Sequence, residues 1–390
     1  KEMSGYKSMD LRKVVMPEFV FGKDARLLAG NYARNLGARR VLVVTDPGVV
    51  EAGWAEEICG NLQEKGLSYH VFSKVQPNPR DSNVHEGTEV YAREECDAIL
   101  ALGGGSPIDC AKGIGIVARN GGDICEYEGV DRVGTPIPPI ICVPTTSGSS
   151  ADVSQFSIIL DTPRRIKIAI ISKMIVPDIA LIDPLPLTSM DPYLTACTAM
   201  DALTHAMEAY VSNAQSSVTD VHALQAIREI TGHVIAAMKE PRNLDELYHL
   251  MSGSMHAGLA FSNASLGAVH ALAHSLGGMY DLPHGECNAI LLELVIRMNA
   301  PYAKERYRDM ASVIGIVGPN TSEDAAMEGL VRYLRELREA LGIAENFKGA
   351  AIRREDLPKL AENALNDPCM ATNPVLPDIK ELESIYERIL

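Results

Sequence analysis

The sequence AILALGGGSPIDCAKGIGIVAR, residues 98–119, decides the fold. Five apolar residues (98–102) predict a buried strand, three glycines (103–105) predict a tight turn, and residues 108–119 have the length and composition of a helix. A turn without Cβ atoms lets backbone N–H groups approach a pyrophosphate, and the positive end of the helix dipole assists. Because Ile108 occupies the last position of the G-x-G-x-x-G fingerprint, a plain strand-to-helix turn remains the alternative interpretation.

The alternation of strands and helices extends over the first half of the chain. Residues 54–65 and 84–94 suit helices, and further short apolar strands are predicted at residues 41–45, 69–72, 140–143, 166–171 and 179–182. Strands that alternate with helices imply crossover connections and a parallel sheet. We therefore predict an α/β dinucleotide-binding domain with a Rossmann-like parallel sheet over residues 1–187.

The pattern changes near residue 187, where Pro184, Pro186 and Pro192 interrupt the strands. Beyond them nearly every segment suits a helix, namely residues 193–211, 217–238, 244–261, 267–277, 323–341 and 376–389. Thr321 followed by Asp324 predicts a capped start for one of these helices. The second half is therefore predicted to be an all-α metal-binding domain over residues 188–390.

Composition limits the possible partners. The chain has 390 residues, more than one hydrophobic core usually supports, and its net charge of −15 repels phosphate backbones and anionic membranes. We expect no nucleic-acid and no membrane partner. The eight cysteines form no C-x-x-C pair, and no uncharged apolar run reaches about 18 residues. These features predict a soluble, cytoplasmic protein.

Four histidines in the second half have the spacing of metal ligands. Asp201 and His205 are four residues apart in an apolar helical segment, and His270 and His274 repeat that spacing, which places each pair on one helix face. His284 follows ten residues later in a turn before another helix. Buried carboxylates are costly unless they are paired or bind a metal, so the pattern favours a metal site over unrelated core residues. The remaining helical histidines (His222, His233, His249 and His256) are interpreted as single surface or core residues.

Two further features of the first half suit a dinucleotide. Asp46 ends the first strong strand, where a carboxylate can accept hydrogen bonds from the adenosine ribose and would repel a 2′-phosphate, although Asp before Pro-Gly also forms turns. Residues 144–150, PTTSGSS, follow another buried strand and offer hydroxyls for a phosphate or ribose. The sequence thus predicts NAD in preference to NADP.

Together these segments resemble the iron-containing, or group III, alcohol dehydrogenase family over essentially the whole chain. The resemblance rests on PNP at residues 77–79, GGGS at 103–106 with Asp109, Ala111 and Lys112, PTT at 144–146, Pro177-Asp178, Asp183-Pro184, MDA at 200–202 with His205, Glu208 and Tyr210, GAVHALAH at 267–274 and PHG at 283–285.

The resemblance implies an enzyme that interconverts a small alcohol and its aldehyde or ketone with NAD(H). It implies that Asp201, His205, His270 and His284 hold one divalent metal ion, Fe²⁺ or alternatively Zn²⁺, and that His274 lies beside the ion and passes a proton. The implied cofactor-binding residues are Asp46, Asn78, Gly104, Gly105, Ser106, Asp109, Thr145, Thr146, Lys167 and Leu187. A homo-oligomer, a dimer or larger, is also expected.

One departure from the family and three rival functions remain. The family usually continues its threonine loop as Gly-Thr-Gly-Ser-Glu, whereas this chain has GSSAD at residues 148–152. A metallohydrolase would not need the strand–glycine–helix unit, and no H-E-x-x-H motif is present. A lyase or polyol-phosphate dehydrogenase of the same fold would need basic residues for a phosphate, for which Arg164, Arg165 and Lys167 are the cluster nearby. A non-catalytic metal-binding protein is the third rival.

Overall fold

A computed structural model of the chain describes residues 11–318 and 320–390. The strands are β1 (Glu18–Phe21), β2 (Arg40–Val44), β3 (Ser68–Phe72), β4 (Ala98–Gly103), β5 (Gly129–Val130), β6 (Ile140–Pro144), β7 (Phe156–Asp161), β8 (Ile166–Ile171) and β9 (Ile179–Ile182). The helices are α1 (Ala29–Asn35), α2 (Pro47–Glu51), α3 (Trp54–Glu64), α4 (Asp81–Arg93), α5 (Gly105–Asn120), α6 (Pro192–Val211), α7 (Ser217–Lys239), α8 (Leu244–Ala264), α9 (Ala268–Tyr280), α10 (His284–Ile314), α11 (Glu323–Ala340), α12 (Leu357–Leu365) and α13 (Ile379–Arg388).

Six strands form one parallel sheet in the order β1-β9-β6-β4-β2-β3, which confirms the predicted parallel architecture. Strand β4 lies inside the sheet and is buried along its whole length, as its uninterrupted apolar sequence requires. Because the strands are parallel, the carboxyl ends of β2, β4 and β6 share one edge. The segments that follow them therefore meet there, as ligand-binding loops of such sheets do.

Strand β8 lies outside this sheet. The sequence analysis assigned residues 166–171 to the parallel sheet, which is wrong: β8 pairs antiparallel with β7, and with β5 these strands form a separate three-stranded sheet. The tight turn at residues 162–165 makes β7 and β8 a hairpin, and a hairpin can only pair antiparallel. The sequence analysis predicted neither β7 nor the short, half-exposed β1.

The second half contains helices throughout, as predicted, and these pack around one large apolar core. Helix α6 is buried on nearly all sides. Two predictions need correction: Ser322, not Thr321, caps α11, since its hydroxyl accepts the Ala325 N–H, and His284 is the first residue of α10 rather than part of a turn. The division of the chain at residue 187 stays a prediction. No helix in the described part of the chain is long and apolar enough to cross a membrane.

Candidate active site

A cavity of about 980 Å³ lies between the carboxyl edge of the parallel sheet and the helices α6, α9 and α10. Its wall contains every residue predicted to bind metal, cofactor or proton except Leu187. Leu187 is 2% exposed and is packed in the core of the helical half instead of lining the cavity. The structure thus brings two distant sequence patterns together in one space.

Four side chains form what we call the metal-ligand cluster, consisting of Asp201, His205, His270 and His284. Asp201 Oδ1 lies 3.8, 3.6 and 3.7 Å from the Nε2 atoms of the three histidines in that order. Ligand atoms bound to a tetrahedral ion at about 2.0–2.2 Å stand about 3.3–3.6 Å from one another. The separations therefore fit one divalent ion within a few tenths of an ångström.

The helices bring these ligands together through close contacts at small residues. Asp201 and His205 lie one turn apart on α6, His270 lies in the first turn of α9, and His284 begins α10. Gly285 permits the last approach, because a Cβ there would lie 2.5 Å from the carbonyl oxygen of Cys197 on α6. The start of α10 can thus rest directly against α6.

Glu208 orients one of the ligands. Its Oε2 lies 2.5 Å from Nδ1 of His270, and its Oε1 accepts the N–H of Val269 at 2.7 Å. Burial lowers the pKa of His270, but the Glu208 and Asp201 carboxylates outweigh it and raise that pKa to about 9. The Glu208 contact holds a proton on Nδ1, so an ion that displaces the Nε2 proton would meet the tautomer that metal ligation needs.

Asn288 lies at the centre of the cluster. Its Nδ2 donates to Asp201 Oδ1 at 2.7 Å and lies 3.1 and 3.3 Å from Nε2 of His270 and His284. The amide N–H groups carry partial positive charge and lie close to the carboxylate oxygen and the two ring nitrogens. A cation would bind the electron pairs of these three atoms more strongly than the amide does. Within the described residues, Asn288 Oδ1, His205 Nδ1 and His284 Nδ1 are buried without hydrogen-bond partners. The carboxylate oxygen of Asp201 and the Nε2 atoms of the three histidines are donor atoms that fit a metal ion.

The cluster shifts the ionisation of its own members. Burial raises the pKa of the Asp201 carboxyl, but His205, His284 and His270 outweigh it and hold that pKa well below its ordinary range. Burial lowers the pKa of His205 to about 3 despite the nearby Asp201 carboxylate. An ionised carboxylate beside a neutral imidazole is the protonation state that a cation requires.

His274 lies beside the cluster, one turn after His270 on α9. Its Nδ1 lies 2.8 Å from Oδ2 of Asp367, and its ring is parallel to that of His284, with centroids 5.3 Å apart. Burial raises the pKa of Asp367, but the interaction with His274 outweighs it and keeps the carboxyl below its ordinary pKa. Asp367 therefore fixes the ring orientation of His274 at the cavity wall.

Sequence reasoning assigned no role to Glu208, Asn288 or Asp367. Two of these residues carried a usable signal: Glu208 follows Asp201 at seven residues on the same face of α6, and Asn288 follows His284 at four on α10. Asp367 comes from a short segment after α12, and only the tertiary fold brings it to His274.

The glycine turn at residues 103–105 packs against the threonine loop, residues 144–150. Gly103 has φ +148°, a conformation that other residues rarely adopt, and a Cβ on Gly105 would lie 2.8 Å from Cβ of Ser149. Asp46 Oδ1 caps α2 by accepting the Val49 N–H at 2.9 Å, and its Oδ2 lies 3.3 Å from where a Cβ of Gly103 would be. Asp46 thus forms the predicted turn and also lines the cavity.

Asn78 reaches across the cavity mouth. Its amide donates to Asp281 Oδ1 at 2.7 Å, and Arg80 contacts Asp281 Oδ2 at 2.9 Å. Because Asp281 immediately follows α9, these bonds link the loop after β3 to the segment that leads into His284. This contact connects the loop after β3 to the part of the cavity that contains the metal-ligand cluster.

Lys112 holds the segment that follows the threonine loop. Its buried Nζ donates to the carbonyl oxygens of Ala151, Ser154 and Phe156 at 2.6, 2.7 and 2.8 Å. Asp109, one turn earlier on α5, has its pKa raised to about 7 by burial, with Lys112 acting in the opposite direction. The unusual GSSAD sequence therefore lies in a well-anchored segment.

Comparisons with known proteins give matches over nearly the whole chain. A family model described as "Iron-containing alcohol dehydrogenase" matches residues 17–184, and one described as "Fe-containing alcohol dehydrogenase family, C-terminal" matches residues 195–390. The 1,3-propanediol dehydrogenase of Citrobacter freundii is 39% identical over 94% of this chain and 96% of its own. The NAD-dependent methanol dehydrogenase of Bacillus methanolicus is 35% identical, covering 96% and 99%. A crystal structure of 1,3-propanediol oxidoreductase matches with a TM-score of 0.94 at 37% identity, covering 98% of this chain and 100% of that one.

Proposed function

The chain belongs to the iron-containing alcohol dehydrogenase family, and we propose that the cavity is where its alcohol substrate meets NAD and one divalent ion. The enzyme interconverts an alcohol and its aldehyde or ketone with NAD(H). The observation that carries the proposal is that the metal-ligand cluster and the glycine turn line the same cavity. We assign the ion to the four members of the cluster.

The bound ion supplies a Lewis acid, which lowers the pKa of the alcohol and polarises the carbonyl in the reverse reaction. One carboxylate and three neutral imidazoles offset one of its two positive charges. Nitrogen and oxygen ligands suit Fe²⁺ and Zn²⁺ alike, and the affinity series favours Zn²⁺ when both are present. We propose Fe²⁺ as the native ion, with Zn²⁺ as the alternative, on the grounds of family membership.

The cofactor side of the cavity supplies binding and orientation. The N-terminus of α5, opened by the glycine turn, offers backbone N–H groups and the positive end of a helix dipole to the pyrophosphate. Asp46 is placed to accept hydrogen bonds from the adenosine ribose. Thr145, Thr146 and Lys167 line the wall between this region and the metal-ligand cluster, and we assign them to the nicotinamide half of NAD.

The wall around the cluster is apolar. The ring of Phe261 is stacked on His205 with centroids 4.4 Å apart, and Phe156 meets Phe261 edge to face at 5.4 Å. Leu266 adds a third apolar side chain to the cavity lining. This surface suits a small, uncharged alcohol, in keeping with the named substrates of similar proteins, 1,3-propanediol, methanol and lactaldehyde.

A phosphorylated substrate fits less well. Arg164 forms ion pairs with Asp161 and Glu128, and Arg165 donates to the carbonyl of Met279. Of Arg164, Arg165 and Lys167, only Lys167 lines the cavity, and Arg80, the other basic residue of the lining, is paired with Asp281. We assign the proton that leaves the alcohol to the His274 ring, whose orientation Asp367 fixes.

We also propose a homo-oligomer in a reducing compartment. Strand β1 forms one edge of the six-stranded sheet, pairs on its outer side with no strand among the described residues, and exposes 37% of Phe19. All eight cysteines are free thiols, and seven are buried. Light scattering of the purified protein should give a multiple of 42.2 kDa, and a monomer would contradict this proposal.

The function is tested by turnover with defined metal. The chelated protein is reloaded with Fe²⁺ or Zn²⁺, and a panel of small alcohols and aldehydes is followed through NADH absorbance. We expect turnover with at least one ion and none in the chelated protein. Metal binding without turnover on any alcohol or aldehyde would favour the non-catalytic rival.

A further inference from the structure

Helices α7 and α8 carry a second group of metal-ligating side chains on their shared surface. We call Glu229, His233, Glu246 and His249 the α7–α8 cluster, of which Glu229, His233 and His249 have ligand atoms within 4.8 Å of one another. The sequence analysis interpreted His233 and His249 as single residues, which is wrong. They belong to different helices, and only the packing of α7 against α8 brings them together.

Each histidine of the α7–α8 cluster contacts a carboxylate on the opposite helix. His233 Nδ1 lies 2.7 Å from Oε2 of Glu246, and His249 Nδ1 lies 2.5 Å from Oε2 of Glu229. The two imidazole rings are stacked, with centroids 3.7 Å apart and planes 10° from parallel. The result is two carboxylates and two imidazoles in one compact group.

A cation would balance the charges of this group. Two protonated rings place like charges face to face at 3.7 Å, one protonated ring leaves a net charge of −1, and two neutral rings leave −2. Among the described residues neither Glu229 nor Glu246 forms an ion pair with a lysine or arginine; Gln225 supplies only a neutral amide to Glu229. A divalent ion that replaces the protons on both rings removes the repulsion and neutralises the carboxylates.

We propose that the α7–α8 cluster binds one transition-metal ion of the Zn²⁺ class, at a site separate from the metal-ligand cluster. Two imidazoles and a carboxylate are ligands that Zn²⁺ takes in proteins, while Mg²⁺ and Ca²⁺ prefer oxygen ligands alone. Glu229, His233 and His249 bind the ion, and Glu246 orients His233 as Glu208 orients His270. Water completes the coordination.

The site is open to solvent and joins two helices. Its four side chains are all 15–36% exposed, whereas in the metal-ligand cluster only His284 is, at 28%, and the other three are 1–6% exposed. An ion here can enter and leave without passing through the catalytic cavity. Because its ligands come from both α7 and α8, binding ties the two helices together and stabilises the folded state by mass action.

Counting ions per chain tests this proposal directly. The chelated full-length protein is equilibrated with micromolar Zn²⁺, separated from free metal, and analysed for zinc. We expect two ions per chain in the wild type and one in His233→Ala/His249→Ala, with unchanged alcohol turnover and circular dichroism in the variant. His222→Ala/His256→Ala is the matched control. In the wild type the Nδ1 atoms of these two histidines lie 2.9 Å apart on the same two helices but outside the cluster, so the control variant should keep two ions.

A second background separates this inference from the proposed function. In Asp201→Ala/His270→Ala we expect one zinc ion, which is lost when His233→Ala/His249→Ala is added, and a Zn²⁺-dependent rise in Tm that is lost with it. One ion in the wild type, two ions in His233→Ala/His249→Ala, or loss of an ion in the control would each overturn the proposal.

Discussion

Ser150 occupies a backbone conformation that usually requires glycine. Its φ is +51°, and its buried hydroxyl donates to the carbonyl of Ser254 at 2.6 Å. At this position the family pattern has glycine, so the departure noted in the sequence has a structural explanation. A hydrogen bond compensates for the strain of a left-handed residue.

Substitutions at Ser150 should separate the strain from the hydrogen bond. Ser150→Ala loses the bond and keeps the strain, whereas Ser150→Gly loses both, so we expect the glycine variant to be the more stable by about 1 kcal/mol. Urea unfolding of the two variants measures the difference. Equal free energies of unfolding would show that the backbone at this position is not strained.

Asp46 should determine the choice between NAD and NADP. Removing its charge relieves repulsion of a 2′-phosphate by about 1.4–2.8 kcal/mol, which is roughly a 10- to 100-fold gain in kcat/KM for NADP, and lowers kcat/KM for NAD. Asp46→Asn is the better variant, because its amide oxygen can still cap α2 by accepting the Val49 N–H. Asp46→Gly removes the negative charge and the helix cap together. Equal use of NADP by the wild type would show that Asp46 does not face the ribose.

His274 should set the rate without holding the ion. His274→Ala is expected to keep its metal, lose about 10²–10⁴-fold in kcat and change the pH profile, because the proton loses its acceptor. Asp367→Asn keeps the imidazole of His274 but weakens the contact that orients it, so its kcat should fall by a smaller factor. Metal loss equal to that of His270→Ala would mean that His274 is itself a ligand.

At the scale of elements, one buried lysine joins α5 to the segment between the threonine loop and β7. Lys112→Met leaves three buried carbonyl groups without their donor, and we expect a loss of about 3 kcal/mol or more in the free energy of unfolding. Arg119→Met, an exposed residue on the same helix, should change it by no more than about 0.5 kcal/mol. Similar values for the two would remove the anchoring role of Lys112.

Local sequence patterns predicted an element well where its apolar residues form one clear run or repeat. Strand β4 is buried along its whole length and helix α6 on nearly all sides, and their apolar runs are unambiguous. Strand β8 has an equally clear run, but which sheet it joins depends on the hairpin with β7 rather than on its own residues. The 31-residue α10 was given no bounds, since Pro301 and a kink at Ala303 interrupt its pattern.

At the candidate site, too, patterns within one element could be predicted and contacts between elements could not. Spacing within one helix related Asp201 to His205, and the family resemblance supplied the complete ligand set. The α7–α8 cluster was not predicted, because its members come from two helices and spacing along the chain does not relate them. Contacts between elements require the packed fold, and a single sequence contains no direct signal for them.

At the scale of the whole molecule, the proposed function divides one reaction between the two halves of the chain. The parallel sheet presents the glycine turn and Asp46, and the helical half presents the metal-ligand cluster, with the cavity between them. In the proposed function, the described residues of each half supply only one of the two sites, NAD in the first half and the ion in the second. Asn78 and Arg80 join the halves through Asp281 at the cavity mouth.

The most direct measurement is the metal content and NAD-linked turnover of His270→Ala, determined on the same sample. His233→Ala/His249→Ala serves as the background, so that an ion at α7–α8 does not enter the count, and His222→Ala is the control. We predict that His270→Ala loses the remaining ion and all turnover while it still folds and binds NAD, and that the control keeps one ion per chain and full activity. Full metal occupancy in His270→Ala would contradict the assignment of the catalytic ion to this cluster.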